Sequence, residues 1–207
     1  MAFPSSASTS ASDLSELLRV AHFAAVAHAS QRRKSPLAPA YIQHPLDVAR
    51  RIASPPSSLA GNAPLSVLMA AMTHDVLEDT DVSEEELRNE VGDEVTDIVL
   101  ECSDDKNLGK MARKQAQIDQ AASKSDFAKH VKLADKLSNL TDLISESGRP
   151  AGWSVSRVQE YFVWAKKVTD QCVSVNPGLG RQLDDLYKDA EFVQDGRKYK
   201  CHPTYRG

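Results

Sequence analysis

Four side chains able to hold a cation or move a proton stand within six residues: His74, Asp75, Glu78 and Asp79. On a helix, His74 and Glu78 are i,i+4, Asp75 and Asp79 are i,i+4, and Asp75 and Glu78 are i,i+3, so each pair shares a face. At roughly 100° per residue all four fall within an arc of about 140°. Three carboxylates crowded there repel one another, and a sequence keeps such a cluster mainly where a cation offsets the charge. A solvated acidic helix end is the plainer reading of a charge run. Here the carboxylates emerge from an apolar run, Leu65 to Met72, and burying charge unpaired is expensive. The adjacent His74-Asp75 pair therefore favours a metal site.

The elements that must position this cluster bring further candidates. Pro45 disfavours the α region for His44 and can open a helix, which puts His44 at a loop-to-helix junction. On the residues alone, His44 reads equally as structural or as a ligand. Asp135 lies in a helix whose apolar stripe is Leu133, Leu137, Leu140 and Ile144, with Asn139 one turn on. A single Asp in a helix is usually solvated or ion-paired. Asp135 becomes a ligand candidate because the set built on His74-Asp75 lacks a fourth member. The run Gln31-Arg32-Arg33-Lys34-Ser35-Pro36 reads either as a solvated loop or as an anion clamp, since Arg offers a planar fork to phosphate oxygens and Lys a point charge. His22 and His28, on the first helix, read as core or capping residues.

Taken in order, residues 1–11 form a Ser/Ala-rich tail expected to be disordered. A helix follows from about Asp13 to His28, and another opens at Pro45. Pro55-Pro56 and Gly61-Asn62-Ala63-Pro64 are breakers. Leu65–Asp79 is expected to be one helix. Ser83-Glu84-Glu85-Glu86 is a capping box whose helix stops at Gly92. Short helices are expected over Asp93–Cys102 and from Lys110 to about Ala122, then a long one over 127–146. After the Gly148–Gly152 break, helices run from Trp153 to about Val175 and from Leu179 to about Val193. Residues 194–207 read as a basic, turn-rich tail dispensable for catalysis. No strand pattern exceeds three residues, so the fold class expected is all-α, one domain over 12–193 with tails at 1–11 and 194–207.

Composition bounds the partners. The 207 residues carry a net charge of −4, which argues against nucleic acid or an anionic membrane as the main partner. No apolar run reaches membrane length, and the N-terminus lacks the basic start and apolar core of a secretory signal. Three widely spaced cysteines, Cys102, Cys172 and Cys201, read as a reducing, cytoplasmic setting without a disulfide framework. A homo-oligomer is left open.

His44, then His74-Asp75, then Asp135 follow the H…HD…D order of the HD-domain metal phosphohydrolases. The stretches Arg32-Arg33-Lys34, Tyr41-Ile42-Gln43-His44-Pro45, His74–Thr80, Asp104-Asp105-Lys106 and Lys132–Leu140 resemble the hydrolase domain of the RelA/SpoT alarmone proteins. Trp153-Ser154 and Arg157–Phe162 are similar to its small, hydrolase-only branch. The resemblance covers roughly residues 13–190. It implies an HD-domain helical bundle around a single metal site, with Mn2+ held by His44, His74, Asp75 and Asp135. It implies hydrolysis of the 3′-diphosphate of ppGpp or pppGpp, the alarmones of the stringent response, to GDP or GTP and pyrophosphate. Glu78 and Asp79 would then activate and position water, Arg33 and Lys34 would meet phosphates, and Asn139, Arg157 and Tyr161 would contact the nucleotide. The alternatives are removal of the 2′-phosphate of NADPH at the same site, or a degenerate HD fold acting as a nucleotide-binding regulator. The sequence departs from the pattern at Ser138, where the branch usually has an aromatic residue, at Leu37-Ala38-Pro39-Ala40, which replaces a Gly-containing approach, and over 194–207. With no room for a synthetase domain, the chain is expected to degrade the alarmone and not make it.

Overall fold

The computed structural model describes residues 10–205; residues 1–9 of the tail expected at 1–11 lie outside them. The bundle is built around one long helix, α8. The first helix, α1 (Ala11–Ala27), is opened by a capping box between Ser10 and Asp13, so Ser10 and Ala11 belong to the helix and not to the tail. Helices α2 (Gln43–Ala53) and α3 (Leu65–Thr73) pack against each other, with α1 lying on α3. A single turn, α4 (Val76–Asp79), follows, and then α5 (Glu84–Val91), α6 (Asp93–Cys102) and α7 (Lys110–Gln120). Gly92 ends α5 and begins α6 at φ +81°, a conformation that costs glycine little.

α8 (Asp126–Ile144) packs on α2, α3, α6, α9 (Val155–Thr169) and α10 (Pro177–Asp189). Its apolar stripe explains that place: Val131, Leu133, Ala134, Leu137 and Leu140 are buried. So are Lys132 and Lys136 on the same helix, a cost that needs a reason, because buried lysines are rare unless paired. α10 starts at Asn176, whose Oδ1 accepts from Leu179 N at 3.1 Å and from Ser58 N at 2.9 Å. Gly178 lets that helix approach the Pro56 carbonyl, which a Cβ would meet at 1.6 Å. Among the described residues, no helix is long and apolar enough to cross a membrane.

The structure corrects the sequence reading at several places. Leu65–Asp79 is not one helix, because the chain breaks at His74-Asp75 and Asp75 sits at φ −97°, ψ −5°. The cause is local. His74 Nδ1 bonds the Ala71 carbonyl at 2.8 Å, the acceptor that a continuing helix would offer to Asp75 N–H. The expected Trp153–Val175 helix is shorter, ending at Thr169, with a 3-10 turn over Val173–Val175. His22 is exposed, so it is no core residue.

Residues beyond 190 are not a featureless tail. Strands β1 (Glu191–Gln194) and β2 (Arg197–Lys200) form an antiparallel hairpin. Asp195 and Gly196 turn it with φ of +51° and +72°, as a two-residue type I′ turn requires. That Asp-Gly pair is the sequence signal that identifies the hairpin. Phe192 and Cys201 are buried in the core, and Arg149 donates to the Val193 carbonyl at 2.8 Å. The boundary expected at 193/194 therefore cuts through a strand.

Candidate metal and substrate site

His44, on the first turn of α2, meets the α3–α4 break and the middle of α8. Its Nε2 lies 3.2 Å from Asp135 Oδ1 and 3.7 Å from Asp75 Oδ2. His74 Nε2 lies 3.1 Å from Asp75 Oδ2 and 3.8 Å from Asp135 Oδ1. Donors about 2.1 Å from a shared ion stand roughly 3.0–3.6 Å apart when neighbouring around it, so these spacings suit one cation. The far ring nitrogens are committed elsewhere: His74 Nδ1 to Ala71 O, and His44 Nδ1 to Ser138 Oγ at 3.2 Å. Anchoring the outer nitrogen aims the inner one at a metal. His74 Nε2 is itself buried without a well-formed hydrogen bond, an orphan that a cation would satisfy. The break in the helix makes this convergence available, since adjacent residues on an unbroken helix point about 100° apart.

The charges in the cluster hold one another in place. Burial works against ionised His74, yet the Asp75 and Asp135 carboxylates raise it well above the usual imidazole range. Burial likewise opposes ionised Asp75, which His74 and His44 hold below the usual carboxylate range. Asp135 is held well below that range, against burial, by Lys136, His44 and His74. A divalent ion here would take the place of the histidine proton.

Asp135 is fixed from two sides. Lys136 Nζ meets its Oδ2 at 2.7 Å, and Asn139 Nδ2 donates to its Oδ1 at 2.6 Å. Tyr41 does similar work for the acids, its hydroxyl lying 2.7 Å from Asp75 Oδ2 and 3.0 Å from Asp79 Oδ2. Glu78 and Asp79 diverge. Glu78 lines a small cavity of about 140 Å³ together with the four candidate ligands. Burial, then the carboxylates of Asp104, Asp75 and Asp79, push Glu78 above the ordinary glutamate value. Asp79 lines a larger cavity of about 410 Å³ with Arg33, Lys34, Asn139, Trp153 and Tyr161. The two cavities share the side chains of Arg33, Tyr41 and Asn139.

Residues 21–159 match the HD domain family, HD_4. The chain belongs to the HD-domain family. Guanosine-3′,5′-bis(diphosphate) 3′-pyrophosphohydrolase MESH1 of Xenopus tropicalis is 46% identical over 178 residues, 86% of this chain and 96% of that protein. The MESH1 protein of Homo sapiens is 45% identical over 177 residues, with the same shares of the two chains. A solved metazoan ortholog of SpoT that hydrolyzes ppGpp superposes with a TM-score of 0.76 at 41% identity, covering 89% of this chain and 96% of that one. The chain is thus an all-α HD-domain member of the MESH1 group, with a small C-terminal hairpin.

Within this HD domain the basic loop is a built structure. Arg32 and Ala40 form an isolated antiparallel bridge, and Arg33 N donates to Pro39 O at 2.9 Å. Ala38 turns the loop at φ +43°, a conformation that glycine would take more readily. Arg33 is anchored by Asn139 Oδ1 at 2.9 Å and Asp142 Oδ2 at 2.8 Å, whereas Lys34 is exposed on the cavity wall. Arg157 does not line either cavity; it stacks on Trp153, its guanidinium carbon 4.4 Å from the ring centre. Ser138 faces His44 rather than the larger cavity, so its departure from an aromatic residue acts on the metal side. Sequence reasoning assigns no role to Tyr41, Lys132, Lys136 or Trp153. Lys132 and Lys136 fall on the inner face of α8, and their register with Leu133, Leu137 and Leu140 is the signal that places them inside.

Proposed function

We propose that this chain is a metal-dependent guanosine-3′,5′-bis(diphosphate) 3′-pyrophosphohydrolase of the cytoplasm, converting ppGpp or pppGpp to GDP or GTP and pyrophosphate. One observation carries the reading. His44, His74 and Asp75 are spaced to share a cation, Asp135 Oδ1 stands 3.2 Å from His44 Nε2, and the small cavity that all four line shares Arg33, Tyr41 and Asn139 with a larger one walled by Lys34, Trp153 and Tyr161. That is a place for a phosphorylated nucleotide next to a place for a metal. His44, His74, Asp75 and Asp135 would hold Mn2+, a hard cation to which the two carboxylates are the better-matched donors, with the imidazoles completing the set. When bound, the ion supplies positive charge that neutralises phosphoryl oxygens and makes nearby water more acidic.

The chain's own residues do the rest. Glu78, raised above its ordinary value and facing the small cavity, takes a proton from water as the water oxygen bonds to the phosphorus attached to O3′. The bond between that phosphorus and O3′ then breaks, its electron pair stays on O3′, and O3′ takes up a proton from solvent and leaves as the 3′-hydroxyl of GDP or GTP while the phosphorus departs in pyrophosphate. A carboxylate base in this role contributes about 10²–10⁴ in rate. Asp79, tied to Asp75 through the Tyr41 hydroxyl, positions water at the junction of the two cavities. Arg33 and Lys34 capture the diphosphate against the chain's net negative charge. Trp153, Tyr161 and Asn139 line the space for the nucleoside, and Arg157 stiffens Trp153.

The test is a side-by-side turnover assay with ppGpp and NADPH on purified protein, first with chelator and then with Mn2+ restored. The expected result is pyrophosphate release from ppGpp that returns with Mn2+ and exceeds phosphate release from NADPH. Absence of ppGpp turnover in the Mn2+-loaded protein would overturn the reading.

A further inference from the structure

Lys132 is a buried ammonium without a counterion. The residue is 5% exposed, and its one hydrogen bond is a long one of 3.4 Å to the Cys102 carbonyl. Among the described residues, no carboxylate lies within salt-bridge distance of it. Lys136, one turn along α8, has Asp135 at 2.7 Å, so the neighbouring carboxylate is already taken. Burial, then the repulsion of Lys136, lowers the affinity of Lys132 for its proton. A fold that gains nothing from this charge would place a methionine here, since a buried ion without a partner costs stability.

Lys132 lines the small cavity with His74, Glu78, Asp135 and Gln117. Gln117 gives a second, independent sign that this end of the cavity is made for a polar guest. Its amide nitrogen sits 2.8 Å from both carboxylate oxygens of Asp104, which fixes which end of the amide is oxygen. That oxygen, Oε1, is buried and has no partner. The deep wall therefore offers an unspent donor and an unspent acceptor beside Glu78, on α8 and α7, elements other than those that carry Arg33 and Lys34.

We propose that Lys132 is a further catalytic residue, whose ammonium binds a non-bridging oxygen of the phosphoryl group under attack and, after cleavage, of the released pyrophosphate. The proposal rests on the pyrophosphohydrolase reading and deepens it by naming the cation that meets the reacting phosphorus. Arg33 and Lys34 would hold the diphosphate from the open side, and Lys132 would meet it from the inside. A donor already in place where charge gathers, in a site with little water, acts without reorganisation.

Lys132→Met is the test, measured four ways on the full chain. The melting temperature should stay level or rise, because an unpaired buried charge is removed. Mn2+ binding should persist. The thermal stabilisation given by inorganic pyrophosphate to the Mn2+-loaded protein should require roughly tenfold more pyrophosphate or beyond. On ppGpp, kcat should fall by roughly 10²-fold with a smaller change in KM, the mark of a contact that strengthens in the transition state. Wild-type pyrophosphate response together with wild-type kcat overturns the proposal. So does failure of both Lys132→Met and Lys132→Gln to fold, which would make the charge structural. Should the wild type bind pyrophosphate through Lys132 yet leave ppGpp intact, the anion site stands and the ppGpp reading falls. Should the wild type and the variant turn over ppGpp equally fast, the ppGpp reading stands and the catalytic role of Lys132 falls.

Discussion

Replacing Lys136 by Met separates the two charges that Asp135 faces. Oδ2 of Asp135 meets Lys136 at 2.7 Å, while Oδ1 faces His44, and the paired side chains are only 7% and 13% exposed. Removing one partner of a buried pair costs about 3–5 kcal/mol. The lower end applies here, since His44 and His74 still offer Asp135 partial compensation. For a chain of this length each kcal/mol moves the melting temperature by about 2–4 °C, so the metal-free variant should melt roughly 6–12 °C below wild type. Lys136 also sits 4.9 Å above the Trp164 ring, a contact of about 0.5–1 kcal/mol that no metal can restore. Saturating Mn2+ places a new cation beside Asp135, so the gap should shrink to the part owed to Trp164, about 1–4 °C. Thermal melts in chelator and in Mn2+, on both proteins, measure the two gaps. Equal gaps in the two conditions would show that the metal and Lys136 do not compensate the same carboxylate, and the assignment of Asp135 to the metal would fail with it.

The remaining expectations are more direct. Asp135→Ala should lose the metal while Glu78→Ala keeps it and loses turnover by about 10²–10⁴; elemental analysis and a rate measurement on both variants decide, and metal-free Glu78→Ala would refute the split between ligand and base. Glu78 is an acid held above its ordinary value, so it penalises the fold once ionised. Glu78→Gln should therefore match wild-type melting near pH 4 and exceed it increasingly through the range above, in metal-free protein. Lys34→Ala should raise KM with metal content unchanged, and Arg33→Ala should also lower kcat, because Arg33 alone of the two lines both cavities. Deleting residues 191–207 should lower the melting temperature sharply, since Phe192 and Cys201 leave the core and loss of a buried aromatic alone costs about 3–5 kcal/mol.

What could be read in advance follows from how local each signal is. The capping box at Ser83 and the stripe on α8 are written within one or two turns, and the elements form where those patterns stand; the box at Ser10 is equally local, but the Ser/Ala-rich run before it hides it. The break at His74-Asp75 is not written that way. It depends on a histidine side chain competing for the Ala71 carbonyl, and that competition is settled by packing around a buried ring. The apolar run before it argues for an unbroken helix, so a periodicity reading carries the helix too far. The hairpin escapes such a reading for a different reason. Its strands are four residues each, with exposed lysines and arginines among them, so their hydrophobic pattern is nearly silent and only Asp195-Gly196 speaks. Arg157 shows a third limit: its type suits phosphate, but its position over Trp153 follows from tertiary packing.

The inner face of α8 is where stability and chemistry meet. Lys132 and Lys136 are i,i+4 on it, and so are Asp135 and Asn139. One helix thus presents a candidate metal ligand, the ammonium that balances it, the amide that orients it and a second ammonium left without a counterion. Leu133, Leu137 and Leu140 hold that helix in the centre of the bundle. The packing that makes α8 rigid is also what dehydrates its polar groups, and dehydration is what makes each of them strong toward a cation or a phosphoryl oxygen. Moving the same four residues to an exposed helix would relieve their burial cost and weaken their grip together. Stability and chemistry therefore draw on one structural fact in opposite directions. Substitutions on this face should accordingly divide by partner: those that strip an ion-paired group, such as Lys136, lower stability, and those that strip one without a counterion, such as Lys132, leave stability level or raised while weakening pyrophosphate binding and turnover.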